Sequence, residues 1–246
     1  MRKATPEALG GWLLRRDPVG SELPDSARAE LVRAALCDGE AVGTALRAAY
    51  PGLAPDRIAA VLGIRVSETD EDPWAGPFLR HADYRAKPPE IRVFRSAVAA
   101  LEAQIDFSLR GADVRGNRAG RALADFAASL WGKPLASVFV AHELYHHMEA
   151  TRVDPPLQRR HAVTRLRVGL WHWNASIHAL SEIAAGSCAQ ALLALAHHPA
   201  LLDKLVLSRF QSALPRGRLA RKRLHLASAC RHRPPHGPFS RALGRP

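Results

Sequence analysis

Residues 142–146, which read His-Glu-Leu-Tyr-His, have the residue types and the spacing that could perform metal chemistry. On a helix, His142 and His146 lie one turn apart on the same face, and Glu143 lies beside them. This geometry suits a zinc ion that carries an activated water, with the carboxylate as general base. The alternative is that the two imidazoles are core histidines with hydrogen-bond partners, because an unpartnered buried polar group costs about 1–3 kcal/mol.

The surrounding sequence predicts a helix that begins at Pro134, since proline is tolerated in a first helical turn. Five positions then fall on one helical stripe at i, i+3, i+4, i+7 and i+11, namely Leu135, Val138, Phe139, His142 and His146. The two histidines therefore continue an apolar face that is directed at the core. The prolines that follow Asp154 are expected to end this helix and start a loop.

A catalytic zinc ion usually takes three protein ligands and leaves one position for water. The acidic candidates after the motif are Glu149, Asp154, Glu182 and Asp203. Glu149 lies on the motif helix itself and could not easily fold back to complete a tetrahedron. Asp154 stands beside the loop prolines, and Asp203 lies beyond the last predicted helix. Glu182 is therefore the predicted third ligand.

The helix expected to carry Glu182 runs from about residue 182 to residue 196, with Ser181 as its cap. Ala185 and Ala189 follow Glu182 at i+3 and i+7. Small residues at these positions would let two helices approach closely enough to share one ion. The adjacent His197 and His198, which follow this helix, point apart and are predicted to be surface residues.

Residues 182–193 read E-I-A-A-G-S-C-A-Q-A-L-L and resemble the E-x-x-A-N-x-F-A-x-x-L-L signature of the ImmA/IrrE-type metallopeptidases. Residues 56–66 are similar to the helix-to-strand entry of that family. Together with the His-Glu-x-x-His motif, the resemblance covers roughly residues 54–193. Gly186 and Cys188 stand where Asn and Phe are common, and the gap between His146 and Glu182 is longer than usual. The resemblance implies a gluzincin-like zinc peptidase that cleaves a protein, such as a bacterial transcriptional repressor.

The residues themselves predict a hydrolytic mechanism at a zinc ion held by His142, His146 and Glu182. Glu143 would accept the proton of the water and later pass it to the leaving amine. A second donor should stabilise the oxyanion, and the sequence does not choose among Tyr84, Tyr145, His147 and His178. A strand over residues 91–94 could bind an extended peptide along its edge.

The pattern of the remaining residues predicts an α+β fold with a zincin-like core, in which a small, twisted, mostly antiparallel sheet packs on helices. Helices are expected over residues 26–36, 40–50, 55–63 and 96–105, and through residues 122–130. Strands are expected over residues 64–66, 77–84 and 91–94, with prolines at 88 and 89 blocking pairing, and a hairpin over residues 163–178.

The net charge of +12 is concentrated near the end of the chain. Residues 205–246 contain ten Lys or Arg and no Asp or Glu, whereas residues 1–204 carry 25 basic and 23 acidic residues. We therefore expect an N-terminal helical segment at 1–53, a metallopeptidase domain at 54–204 and a basic, disordered tail at 205–246. Such a tail could make weak contacts with nucleic acid. The alternative function is a regulatory zincin-like protein that binds nucleic acid or a protein partner without catalysis, or an inactive structural domain.

The three cysteines are far apart and odd in number, so neither a disulfide framework nor a Cys-based zinc site is expected. No run of eighteen apolar residues is present, and residues 1–18 do not resemble a secretory signal. We therefore expect a cytoplasmic protein with a protein or peptide substrate and no membrane partner. The sequence does not specify the oligomeric state.

Overall fold

The computed structural model describes residues 5–75, 78–110, 118–168 and 171–204, and shows the predicted α+β class. The basic tail predicted at residues 205–246 lies outside the described residues. The α-helices are α1 (Pro6–Leu14), α2 (Asp25–Ala49), α3 (Pro55–Val61), α4 (Arg95–Arg110), α5 (Arg118–Ser129), α6 (Ala136–Thr151), α7 (Leu157–Arg160) and α8 (His178–Leu193). A short 3-10 helix lies at Gly20–Glu22. The strands are β1 (Arg65–Thr69), β2 (Trp74–Ala75), β3 (Phe78–Leu79), β4 (Ala82–Ala86), β5 (Pro89–Phe94), β6 (Val163–Val168) and β7 (Trp171–Ala175).

The main sheet has three strands in the order β1-β5-β4 and is mixed rather than mostly antiparallel. β1 pairs parallel to β5, whereas β4 pairs antiparallel to it. The predicted separation of two strands at residues 87–89 is present as the turn of a β4–β5 hairpin. The expectation that both prolines would block pairing is wrong for Pro89, which begins β5 and lies opposite Ala86. The strand predicted over residues 77–84 is two short strands, β3 and β4, that belong to different sheets.

The predicted peptide-binding edge at residues 91–94 is also wrong. β5 is the central strand, and it pairs with β1 along one edge and with β4 along the other. Main-chain groups that already pair within a sheet cannot pair with an added peptide strand. Among the described residues, β4 is the strand of this sheet that lies at its edge next to the motif helix α6.

The two helices predicted at 26–36 and 40–50 are one continuous helix, α2. The sequence between them contains Cys37, Asp38 and Gly39, and glycine lowers helix propensity by about 1 kcal/mol relative to alanine. Packing outweighs this local cost, because α2 lies along α8 at a backbone distance that only glycine allows. A Cβ at Gly39 would overlap the carbonyl oxygen of Ala184, and a Cβ at Gly43 would overlap that of Cys188.

The helix that carries Glu182 begins at His178 and ends at Leu193, so the predicted bounds and the predicted cap at Ser181 are wrong. Ile177 is the N-cap and makes no capping hydrogen bond with its side chain. A backbone N–H group of the first turn is instead paired with a side chain that follows α1. Ala179 N–H donates to Asp17 Oδ2 at 3.1 Å. The hairpin predicted after α7 is present as the antiparallel pair β6–β7. No helix among the described residues combines the length and the apolar character needed to cross a bilayer.

His198 is a core residue with 1% of its surface exposed, which corrects its predicted surface position. Its Nε2 donates to the carbonyl oxygen of Ile183 at 3.1 Å, and its Nδ1 accepts from Ala200 N–H at 3.1 Å. The ring also fills the space beside Gly186, where a Cβ would collide with it. This arrangement requires the neutral imidazole, because a proton on Nδ1 would face a backbone N–H.

Acid should destabilise the protein through His198. Burial chiefly lowers the pKa of His198 to about 4, against an ordinary value of 6.5. The unfolded chain therefore binds the proton first, so the stabilisation is complete above pH 6.5 and is lost as the pH falls toward 4. The loss should reach about 3 kcal/mol.

Urea unfolding of wild type and His198→Asn between pH 7 and 4 measures this contribution. His198→Asn should be less stable at pH 7 and lose less of its unfolding free energy on acidification. His197→Asn, which changes the adjacent and more exposed ring, should behave like wild type. If the unfolding free energy of His198→Asn and that of wild type fall equally with pH, His198 is not the source of the acid sensitivity.

Candidate metal centre

Three side chains from two helices meet at one point. His142 and His146 project from α6, and Glu182 projects from the first turns of α8. The Nε2 atoms of the two imidazoles are 3.2 Å apart. Glu182 Oε2 lies 3.2 Å from His142 Nε2, and Oε1 lies 3.5 Å from His146 Nε2. In the described part of the chain, these three residues form the group whose ligand atoms lie close enough to hold a metal ion.

Packing on both helices places these ligands. Most of the α6 surface around the histidines lies in the core, where Val138, Ala141 and Leu144 are fully buried. On α8, Ala185 and Ala189 are fully buried on the same side as Glu182, as their spacing predicted. The other side of α8 lies against α2 through the two glycine contacts. The sequence did not reveal this second approach, which sets the position of the helix that bears Glu182.

Charge complementarity holds the three ligands together. Burial acts to lower the pKa of His146, but Glu149 and the negative charges of Glu182 and Glu143 outweigh it and raise the pKa to about 9. Partial desolvation acts to raise the pKa of Glu182, whose side chain is 54% exposed. The hydrogen bond from His142 and the charges of both histidines outweigh that effect and lower the pKa to about 2. The Glu182 carboxylate is therefore ionised, which is the form that a metal ligand requires.

Glu143 lies beside the ligands on α6 with only 8% of its surface exposed. Burial raises its pKa, and the negative charges of Glu182 and Asp83 act in the same direction, against the opposing charges of His142 and His146. A carboxylate in this setting is more basic than one in water. It therefore has the property that a general base requires.

The structure separates the four candidates for a second donor. Tyr145 is fully buried, and its hydroxyl donates to Asp38 Oδ2 at 2.7 Å. The hydroxyl proton of Tyr145 is therefore already used and does not serve an oxyanion. Tyr84 and His147 form a pair, with Tyr84 Oη 2.9 Å from His147 Nδ1. Tyr84 belongs to β4, the edge strand beside α6, and His178 is exposed at the start of α8. Tyr84, His147 and His178 remain candidates.

Sequence reasoning missed His81, which precedes β4 and is nine-tenths buried. Its ring stacks on Phe139 at 4.5 Å between centroids, and Phe139 lies one turn before His142 on α6. Burial, followed by the charge of His142, lowers its pKa to about 4. Among the described residues its Nε2 has no hydrogen-bond partner. Nothing in the local sequence distinguishes this histidine, because the stack depends on a contact between the sheet and α6.

Glu149, which the sequence analysis set aside as a ligand, does not belong to the group of three, but it is close to the site. Its Oε2 lies 3.9 Å from His146 Nδ1, on the side of the ring that faces away from His142 and Glu182. The structure does not bring Asp154 or Asp203 into the ligand group.

No protein-family model matches this chain, and comparisons with curated proteins and with solved structures give no match. The class of the site therefore rests on its own geometry. Two imidazole nitrogens and a carboxylate converge at one point, with a buried second carboxylate beside them, and this arrangement could hold a metal ion.

Proposed function

We propose that this protein is a zinc-dependent peptidase with a zincin-like core of the ImmA/IrrE type, and that it hydrolyses a peptide bond in a protein substrate. His142, His146 and Glu182 would hold the ion, and Glu143 would be the catalytic base. The observation that carries the proposal is the set of distances among the three ligands.

Those distances fit the edges of a tetrahedron around zinc. With zinc–ligand distances of about 2.0–2.1 Å, tetrahedral geometry separates two ligand atoms by about 3.3–3.4 Å. The three observed separations are 3.2, 3.2 and 3.5 Å. Three protein ligands also leave the fourth position open, which is typical of catalytic rather than structural zinc sites.

Zinc in this site would lower the pKa of a bound water from 15.7 toward about 7 and polarise the scissile carbonyl. Glu143 would take the proton of the attacking water and deliver it to the departing amine, so that the peptide bond breaks with no net consumption of protons by the base. Its burial keeps bulk water from competing for that proton. The oxyanion would be stabilised by one of the donors near the site, with Tyr84, His147 and His178 as candidates.

The substrate would bind in an extended form. β4 lies at the edge of the main sheet and carries Tyr84, whose hydroxyl pairs with His147 on α6. An edge strand beside the catalytic helix can pair with an added peptide strand. This arrangement supports a peptide substrate, and the family resemblance favours a repressor protein as its source.

Metal content tests the ligand assignment. Purified wild type should contain about one zinc per chain by elemental analysis, and removing either ligand should lower occupancy sharply, because two protein ligands bind zinc poorly. His146→Ala and Glu182→Ala are the variants to compare. His161→Ala, which changes a histidine outside the cluster, is the matched control and should retain the ion. Full zinc occupancy in both ligand variants would reject the site as drawn.

A further inference from the structure

We propose that Glu149 is a positioning residue that orients His146 for metal binding and ties the two ligand-bearing helices together. This inference rests on the proposed zinc site. It extends that site to a carboxylate that does not itself reach the ion.

One oxygen of Glu149 is anchored by two hydrogen bonds. Leu157 N–H, at the start of α7, donates to Oε1 at 2.8 Å, and Ser181 Oγ, in the first turn of α8, donates to the same atom at 2.9 Å. Only 6% of the Glu149 surface is exposed. A buried carboxylate with two donors on one oxygen has little freedom to rotate, so the position of its second oxygen is determined.

The second oxygen faces the ligand ring. Oε2 lies 3.9 Å from His146 Nδ1, whereas Nε2 of the same ring faces His142 and Glu182. A negative charge near Nδ1 favours the tautomer that carries its proton there. The lone pair of Nε2 is then available to a cation, and the ring is held in the orientation that directs it toward the other ligands.

The anchor also links the ligands across the fold. Ser181 immediately precedes Glu182, so the side-chain hydrogen bond from Ser181 to Glu149 joins α8 to the helix that carries both histidines. Glu149 therefore contributes, together with the packing of α8 on its neighbours, to the relative position of His146 and Glu182. A carboxylate with only a packing role would need no oxygen directed at a ligand nitrogen.

Glu149→Gln separates the two roles of this residue. The amide oxygen can still accept from Leu157 N–H and Ser181 Oγ, whereas the NH₂ group would face His146 Nδ1 and disfavour a proton there. Zinc affinity should fall about 10- to 100-fold, the usual effect of losing the carboxylate partner of a ligating histidine. Titration of the metal-free protein with zinc against a chelator measures this ratio, and urea unfolding of the metal-free proteins measures the effect on the fold.

Asp17→Asn is the matched control. Asp17 is also a buried carboxylate that accepts backbone N–H groups, including that of Ala179 on α8, and it has no hydrogen bond to a ligand. Its replacement should alter stability without weakening zinc binding beyond about twofold. Ser181→Ala, which removes one anchor and keeps the charge, should lower zinc affinity by less than Glu149→Gln does.

The outcomes distinguish this inference from the function on which it rests. A wild type that binds no zinc would reject the proposed function itself. A wild type that binds zinc with an affinity equal to that of Glu149→Gln would overturn the positioning role and leave the zinc site intact. If Glu149→Gln does not fold, unchanged zinc affinity in Ser181→Ala overturns the inference.

Discussion

Glu143→Gln should abolish peptide hydrolysis and leave the metal in place. The substitution preserves the shape of a buried side chain and removes its ability to take a proton. General acid–base groups contribute about 10²–10⁴-fold to rate, so residual activity should fall to about 1% of wild type or below. Zinc content should not change, because Glu143 is not among the three ligands.

The assay uses a mixture of fluorogenic peptides and, separately, any repressor-like protein that proves to be encoded beside this chain's gene. Wild type, Glu143→Gln and Glu102→Gln are compared at equal zinc content. Glu102 is an exposed residue of α4, so its variant should retain full activity and control for contaminating proteases. Cleavage by Glu143→Gln at the wild-type rate would show that the general-base assignment is wrong.

Gly39→Ala should cause the largest loss of stability among glycine-to-alanine substitutions at the described glycines. The added Cβ would overlap the Ala184 carbonyl oxygen, which is backbone and cannot rotate away. Overpacking usually costs about 1–3 kcal/mol, and the value here should be at or above about 3 kcal/mol since α2 and α8 must separate. Because α8 carries Glu182, zinc affinity should fall as well.

Gly11→Ala is the control for the intrinsic preference of alanine in helices. A Cβ at Gly11 on α1 would meet only the end of the Arg15 side chain, at 3.5 Å. This variant should be neutral or stabilised by up to about 1 kcal/mol. Chemical unfolding of both variants provides the comparison. A Gly39→Ala protein as stable as wild type would show that the two helices do not approach as closely as described.

The difference between these glycines illustrates why parts of the fold were not readable from the sequence. Gly39 lies between the two helices predicted at residues 26–36 and 40–50, and glycine lowers local helix propensity. The residue that overrides this preference is Ala184, which lies far away along the chain. The burial of His198 has the same origin, because its partner Ile183 and its neighbour Gly186 belong to the preceding helix.

The strand order of the main sheet was also not predictable from local sequence. Alternating residues predicted strands at residues 64–66 and 91–94, which overlap the observed strands β1 and β5. Their pairing order depends on which strand lies between the others, and neither strand's own residues encode that order. The central position of β5 therefore moved the candidate peptide-binding edge to β4.

The sequence by itself determined the ligand chemistry of the candidate site. Helical periodicity placed His142 and His146 on one face with Glu143 beside them, and elimination among the few acidic residues indicated Glu182. Such local spacing is readable because one helix has a fixed repeat. Only the tertiary structure decided that α8 approaches α6 with ligand separations of 3.2–3.5 Å, that Glu149 faces His146 and that His81 stacks beside the site. Those features depend on how separate elements pack, and packing is a property of the whole core rather than of any segment.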